Sequence, residues 1–222
     1  MPDADTLPDA APTDGGGAVT PTPTRKRPKP GERRVQILQA LASMLEQPGA
    51  ERITTAALAA RLDVSEAALY RHFASKAQMF EGLIEFIEQT VFSLVNQIGE
   101  REAVVTDPAA GARQAGKVIT MLIQFAEKNP GMTRVMVGDA LVFENERLQQ
   151  RMNQFFDKIE SILKQSLRAA AQEGGSAMPT VDAQVRASML TAFVAGRLQR
   201  FARSGFKRMP SENLDASLAL ML

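Results

Sequence analysis

The sequence predicts an all-α fold, and three observations predict it. From Gly31 onward, apolar residues recur at three- and four-residue steps, the period of a buried helix face. No stretch shows the sustained apolar–polar alternation of a half-buried strand. Residues Thr54–Phe73, TTAALAARLDVSEAALYRHF, read as two short helices joined by a tight turn. The chain has 222 residues, of which 45% are hydrophobic, enough for a sizeable core in one or two small domains.

Residues 1–30 come first and break the pattern. They hold seven of the twelve prolines and the run Gly15-Gly16-Gly17, a composition that predicts disorder. Their start carries aspartates, among them Asp3, Asp5 and Asp14, and no lysine or arginine. Then the sign reverses. Arg25, Lys26, Arg27, Lys29, Arg33 and Arg34 stand against the single acid Glu32. Net charge is only +1, so positive potential is concentrated in one place, directly ahead of the two short helices. Clustered cations there suit contacts to nucleic-acid phosphates; taken alone, such a run also fits a plain solvated arm.

The first helix carries Ile37, Leu38, Leu41, Met44 and Leu45 on one stripe, and Pro48-Gly49 ends it. Thr54 and Thr55 can cap the second helix, because a hydroxyl accepts from an orphan backbone N–H. Ala59 sits where only a small side chain lets two helices approach. Leu62, Asp63 and Val64 make the turn, and Ser65 caps the third helix, which runs through Tyr70. In a helix-turn-helix the second helix presents its N-terminal residues to base edges in the major groove. Ser65 and Ala67 are short enough for close approach to the groove, and Ala67 suits contact with a thymine methyl. Tyr70, Lys76 and the basic arm would supply phosphate contacts. Spacing by itself also fits an ordinary helical hairpin; its conjunction with the basic run favours DNA.

A fourth helix is expected from about Lys76 to Gly99, with Phe80, Leu83, Ile84, Ile87, Val91, Leu94, Val95 and Ile98 forming its core stripe. Phe86 lies roughly 120° off that stripe, with Met79 on the same side. It fits either a shoulder of the core or one wall of a peptide pocket. Pro108 opens a fifth helix that ends near Asn129-Pro130-Gly131, apolar on almost every face between Val118 and Ala126. A short helix follows over 132–142. Two long helices come last, at about 144–173 and 181–204, separated by Gly174-Gly175-Ser176. They read as an antiparallel pair with wide apolar faces. Those faces either close the core of one chain or form a dimer interface, for which Phe155, Ile159, Met189 and Phe193 are the candidates. The domains expected are thus a tail (1–30), a DNA-binding head (31–76) and a helical body (77–222).

Several classes are disfavoured. The sequence has no cysteine, so disulfides and thiolate metal sites are excluded, which fits a reducing cytoplasm. His72 is the single histidine, and a protein-only zinc site is not expected. No Ser-His-Asp set or glycine-rich phosphate loop is in place, so no enzyme, cofactor or metal is expected. The N-terminus lacks the apolar core of a signal peptide, and no apolar run approaches the ~18 residues of a membrane span, so no membrane partner is expected. Met44, Met79, Met121, Met152 and Met189 read as core packing.

The stretch ITTAALAARLDVSEAALYRHFASKAQMF, Ile53–Phe80, resembles the TetR family of bacterial regulators. Further motifs, GLIEFIE, EKNPGMTR, RLQQRMNQFFDKIE and SGFKRMP, are similar in order to that family's nucleoid occlusion branch. The resemblance implies a DNA-binding homodimer, or a higher-order assembly on DNA, that recognises palindromic sites on the nucleoid. It implies a second partner, the C-terminal tail of the tubulin-like division protein FtsZ, and a block on Z-ring assembly over the nucleoid. Carried over by motif, Thr54, Thr55, Ser65, Ala67, Tyr70, Arg71, His72 and Lys76 would meet DNA. Phe86, Met121, Gln124, Lys128 and Asn129 would line the tail groove between the fourth and fifth helices. Leu94 and Gln124 depart from that branch's groove pattern. The alternative is a TetR-type repressor released from its operator by a small ligand, for which the apolar face at 118–126 would line a cavity.

Overall fold

A computed structural model describes residues 31–47, 53–103, 107 and 109–222, and among them there is no strand. The tail with Arg25, Lys26 and Arg27, the Pro48-Gly49 stop and Pro108 lie outside the described residues. The helices are α1 (Glu32–Leu45), α2 (Thr55–Arg61), α3 (Glu66–Tyr70), α4 (Lys76–Ala103), α5 (Ala110–Lys128) and α6 (Pro130–Met136). After a 3-10 turn at Asp139–Leu141 come α7 (Glu146–Glu173), α8 (Pro179–Arg203) and α9 (Leu214–Met221).

Helices α1 to α3 build the head. Ile37, Leu41 and Leu45 are buried there with Leu58, Leu69 and Phe73. The first turns of α4 close the same core: Met79, Phe80, Leu83 and Ile84 are at most 1% exposed. Met79 therefore does not share the exposure of Phe86, although the helical wheel places both on one side. The head covers α4 at Met79 and has ended by Phe86. Ser75 starts α4 with a capping exchange: its hydroxyl accepts from the Gln78 N–H at 3.2 Å, and the Gln78 side chain accepts from the Ala74 N–H at 2.9 Å.

In the body, α7 and α8 form the most extensive helix pair, antiparallel across the Gly174–Met178 turn, and α5 packs against both as well as against α4. Ala115, Val118, Ile119, Leu122, Ile123 and Ala126 of α5 are all 0% exposed, so no water-sized sphere touches them. The inward side of the segment 118–126 is filled, while Met121 stays half-buried. Two glycines permit backbone contacts that a side chain would forbid. A Cβ on Gly111 would collide with the Ser166 carbonyl oxygen, and one on Gly131 with that of Ala42. The second contact lays α6 directly on α1, joining body to head.

Phe155 and Ile159, expected at a dimer interface, are 2% and 1% exposed within the single chain. The Phe155 ring packs against Phe92 of α4 and Phe156 of α7, at 5.4 and 5.2 Å between centroids. These two positions belong to the core because α7 turns its apolar stripe toward α4, α5 and α8. An apolar stripe is left uncovered on α8, where Val181, Val185 and Met189 are each slightly more than half exposed at four-residue steps. Phe193 is half-buried beneath the Arg197 guanidinium, 4.5 Å from its ring centre.

Candidate DNA-reading site and partner groove

The reading unit is assembled by local rules. The Thr54 hydroxyl accepts from the Ala57 N–H at 3.1 Å and starts α2; the Ser65 hydroxyl accepts from the Ala68 N–H at 3.3 Å and starts α3. Between them Asp63 adopts φ 53°, a left-handed geometry that aspartate tolerates. The Val64 N–H then reaches back to the Ala59 carbonyl at 3.1 Å, closing the turn over a buried Ala59. Leu69 anchors α3 in the core, while Ser65, Glu66, Ala67, Tyr70, Arg71 and His72 remain exposed. Across the two helices, the Thr55 hydroxyl donates to Glu66 Oε2 at 2.5 Å, and the Tyr70 hydroxyl lies 3.4 Å from Thr55 Oγ1. Glu66 is absent from the set read from the sequence. The signal was available, since it occupies the first helical position after the cap, but an acid on a DNA-facing helix runs against electrostatic expectation.

The flanking cations divide by task. Arg33 donates to Gln36 at 3.1 Å beside the arm. Arg34 donates to the His72 carbonyl at 2.9 Å and stacks over Phe73 at 4.2 Å, so it caps the C-terminal end of α3. Its guanidinium is engaged by the protein and fixes the start of α1 against the recognition helix. Lys76 also has a protein partner, Glu144 Oε1 at 2.5 Å, and sits 5.7 Å from the Phe80 ring centre.

The residues expected in the tail groove are only partly gathered. Phe86 is 46% exposed on α4. On α5, Met121 is half-buried while Gln124 and Lys128 are exposed, one helical face at steps of three and four. Asn129 ends α5 and donates its side-chain amide to the Phe125 carbonyl at 2.8 Å. Met121 and Gln124 also line an apolar cleft of about 480 Å³ with Gly116, Thr120, Leu218 of α9 and Leu222, the residue that follows α9. Phe86 does not line that cleft. Helix α9 was not foreseen, because LDASLALM is too short to show a helical period.

At the far end of the body, Glu102 pairs with Lys117 and with Arg113, the latter at 3.4 Å, tying α4 to α5. The hydrogen bond from Lys117 holds the Glu102 carboxyl below its usual value against the opposing cost of burial, and Arg113 adds to the effect. Asp107 is held low in the same way, first by the Ala109 N–H and then by Arg113. Among the described residues no group of histidine and carboxylate side chains could hold a metal, and no helix is long and apolar enough to cross a membrane.

A helix-turn-helix head on a helical body defines a class of bacterial DNA-binding regulator. Residues 37–83 match the family described as "Bacterial regulatory proteins, tetR family", and residues 113–222 match "Tetracyclin repressor-like, C-terminal domain", of SlmA-like type. The chain is 51% identical over 195 residues to the nucleoid occlusion factor SlmA of Aliivibrio fischeri strain MJ11, covering 87% of this chain and 96% of that one. To SlmA of Vibrio cholerae it is 50% identical over 190 residues, covering 85% and 93%. Among solved structures it superposes on AibR bound to isovaleryl coenzyme A and operator DNA, with a TM-score of 0.62 at 17% identity over 85% of this chain and 97% of that one. That likeness concerns the fold. The chain belongs to the TetR family, in its nucleoid occlusion factor SlmA branch.

Proposed function

We propose that this nucleoid occlusion factor binds palindromic chromosomal sites as a homodimer and, while bound, engages the C-terminal tail of FtsZ, blocking Z-ring assembly over the nucleoid. The observation that carries the DNA part is the exposed face Ser65–Arg71, delivered by two capped helices and held by Arg34 from behind. Two such heads on a two-fold body suit a palindrome. The uncovered stripe Val181–Val185–Met189 on α8 supports the dimer. The exposed Phe86 and the Met121–Gln124–Lys128 face support a groove for an extended apolar peptide with an acidic flank. Cytoplasmic, nucleoid-associated localisation follows from this reading. The ligand-released repressor is the weaker alternative, since Val118, Ile119, Leu122, Ile123 and Ala126, which would line its cavity, have no exposed surface.

The test is a pair of anisotropy titrations with full-length protein. The first compares a selected operator with a scrambled duplex. The second titrates an FtsZ tail peptide with and without operator. Equal affinity for both duplexes would defeat site-specific binding, and an absent peptide signal in both states would remove the FtsZ partner.

A further inference from the structure

We infer that Glu66 is a specificity-determining residue, accepting a hydrogen bond from a cytosine amino group at one position of each half-site. This rests on the DNA-binding reading above. On α3, residues 66, 67, 70 and 71 fall within an arc of roughly 140° on the exposed side of the helix. Glu66 is the first helical residue, at the end that enters a major groove. It is the one acid on that face; its neighbours there are Ser65, Ala67, Tyr70 and Arg71.

A carboxylate among phosphates weakens attraction to any duplex, so general affinity does not account for it. Its hydrogen-bonding chemistry does offer a use. A carboxylate only accepts. In the major groove the amino donors are cytosine N4 and adenine N6. Adenine presents its donor beside the N7 acceptor, whose lone pair repels a carboxylate oxygen. Cytosine presents its donor without that neighbour, and is the better partner. The side chain is also held for the task. The Thr55 hydroxyl donates to Oε2 at 2.5 Å, across the turn from α2, leaving Oε1 for a base edge. Ala67 beside it is too small to block the approach.

The experiment is binding-site selection from a randomised duplex pool with full-length wild type, Glu66→Gln and Glu66→Ala, followed by anisotropy on the selected sites. Circular dichroism and thermal melts check that the variants fold. Wild type should enrich cytosine at one symmetric position of the palindrome. Glu66→Ala should lose that preference, by about tenfold in the C·G over A·T ratio, and keep the others. Glu66→Gln should move the preference toward adenine, because an amide both donates to N7 and accepts from N6. Both variants should bind unselected DNA at least as tightly as wild type. The same selected site for all three proteins would overturn the inference and leave the DNA reading intact. So would a uniform loss at every position in a folded variant, which would make Glu66 an anchor of the helix. A wild type that selects nothing would overturn both.

Discussion

The Lys76 ammonium lies 2.5 Å from Glu144 Oε1, joining the first residue of α4 to the segment that leads into α7. Glu144 is 10% exposed and Lys76 31%, so the pair is partly shielded from solvent. A phosphate approaching Lys76 must share its cation with a carboxylate. Glu144→Gln should therefore tighten DNA binding up to about fivefold, whatever the sequence, with the gain shrinking at high salt. Lys76→Ala should weaken binding across all duplexes and reduce the salt slope by about one. In the Lys76→Ala background, Glu144→Gln should have little further effect. Anisotropy across a salt series checks all three, and a Glu144→Gln protein that binds more weakly would show that the carboxylate orients Lys76.

On the partner side, Phe86 offers the largest exposed apolar surface on α4. Burying it against an apolar peptide residue is worth roughly 1.5–3 kcal/mol, and Lys128 at the rim about 1 kcal/mol or less. Phe86→Ala should remove most affinity for the FtsZ tail peptide, with helical content and operator affinity nearly unchanged. Lys128→Glu should act more mildly and in a salt-dependent manner. Wild-type peptide affinity in Phe86→Ala would mean that the peptide sits elsewhere, with the cleft between α5 and α9 the next place to look.

Two substitutions separate interface from core. Met189→Glu places a charge on the open stripe of α8 and should yield a folded monomer. Ile159→Ala removes a side chain that is 1% exposed within one chain and should cost about 2–5 kcal/mol of stability with the dimer retained. Light scattering and urea melts read the two effects, and a dimeric Met189→Glu protein would move the interface off that stripe.

Glu102 gives the body a pH dependence of definite sign. Its carboxyl titrates below the usual 4.5, so its contribution is present above that value and is lost as pH falls through the folded one. Glu102→Gln should be less stable than wild type near neutral pH. The gap should narrow in acid and close only below the lowered folded value, where both side chains are uncharged. Melts at neutral and acid pH check this, and a gap of constant size would assign the effect to packing.

Much of this was legible in the sequence for physical reasons. Caps and turns are short-range, so Thr54, Asp63 and Ser65 could be placed by residue type alone. Long helices such as α4 and α7 announce themselves through their apolar period. What resisted was partnership. Arg34 and Lys76 read as phosphate ligands because a sequence does not show the His72 carbonyl or the Glu144 carboxylate waiting for them. Phe155 and Met189 look alike as apolar residues on long helices, yet one is covered and the other open, and which neighbour covers a face is a property of the whole packing.

The Gly131–Ala42 contact bears on distance along DNA. Backbone resting on backbone has no rotamers to absorb a shift, so the head cannot tilt on its body without lifting α6 from α1. In a dimer built this way, the separation of the two reading helices is a fixed calliper. An operator with one base pair too many between its halves would have to twist to fit, and the energy of that deformation would fall on the DNA.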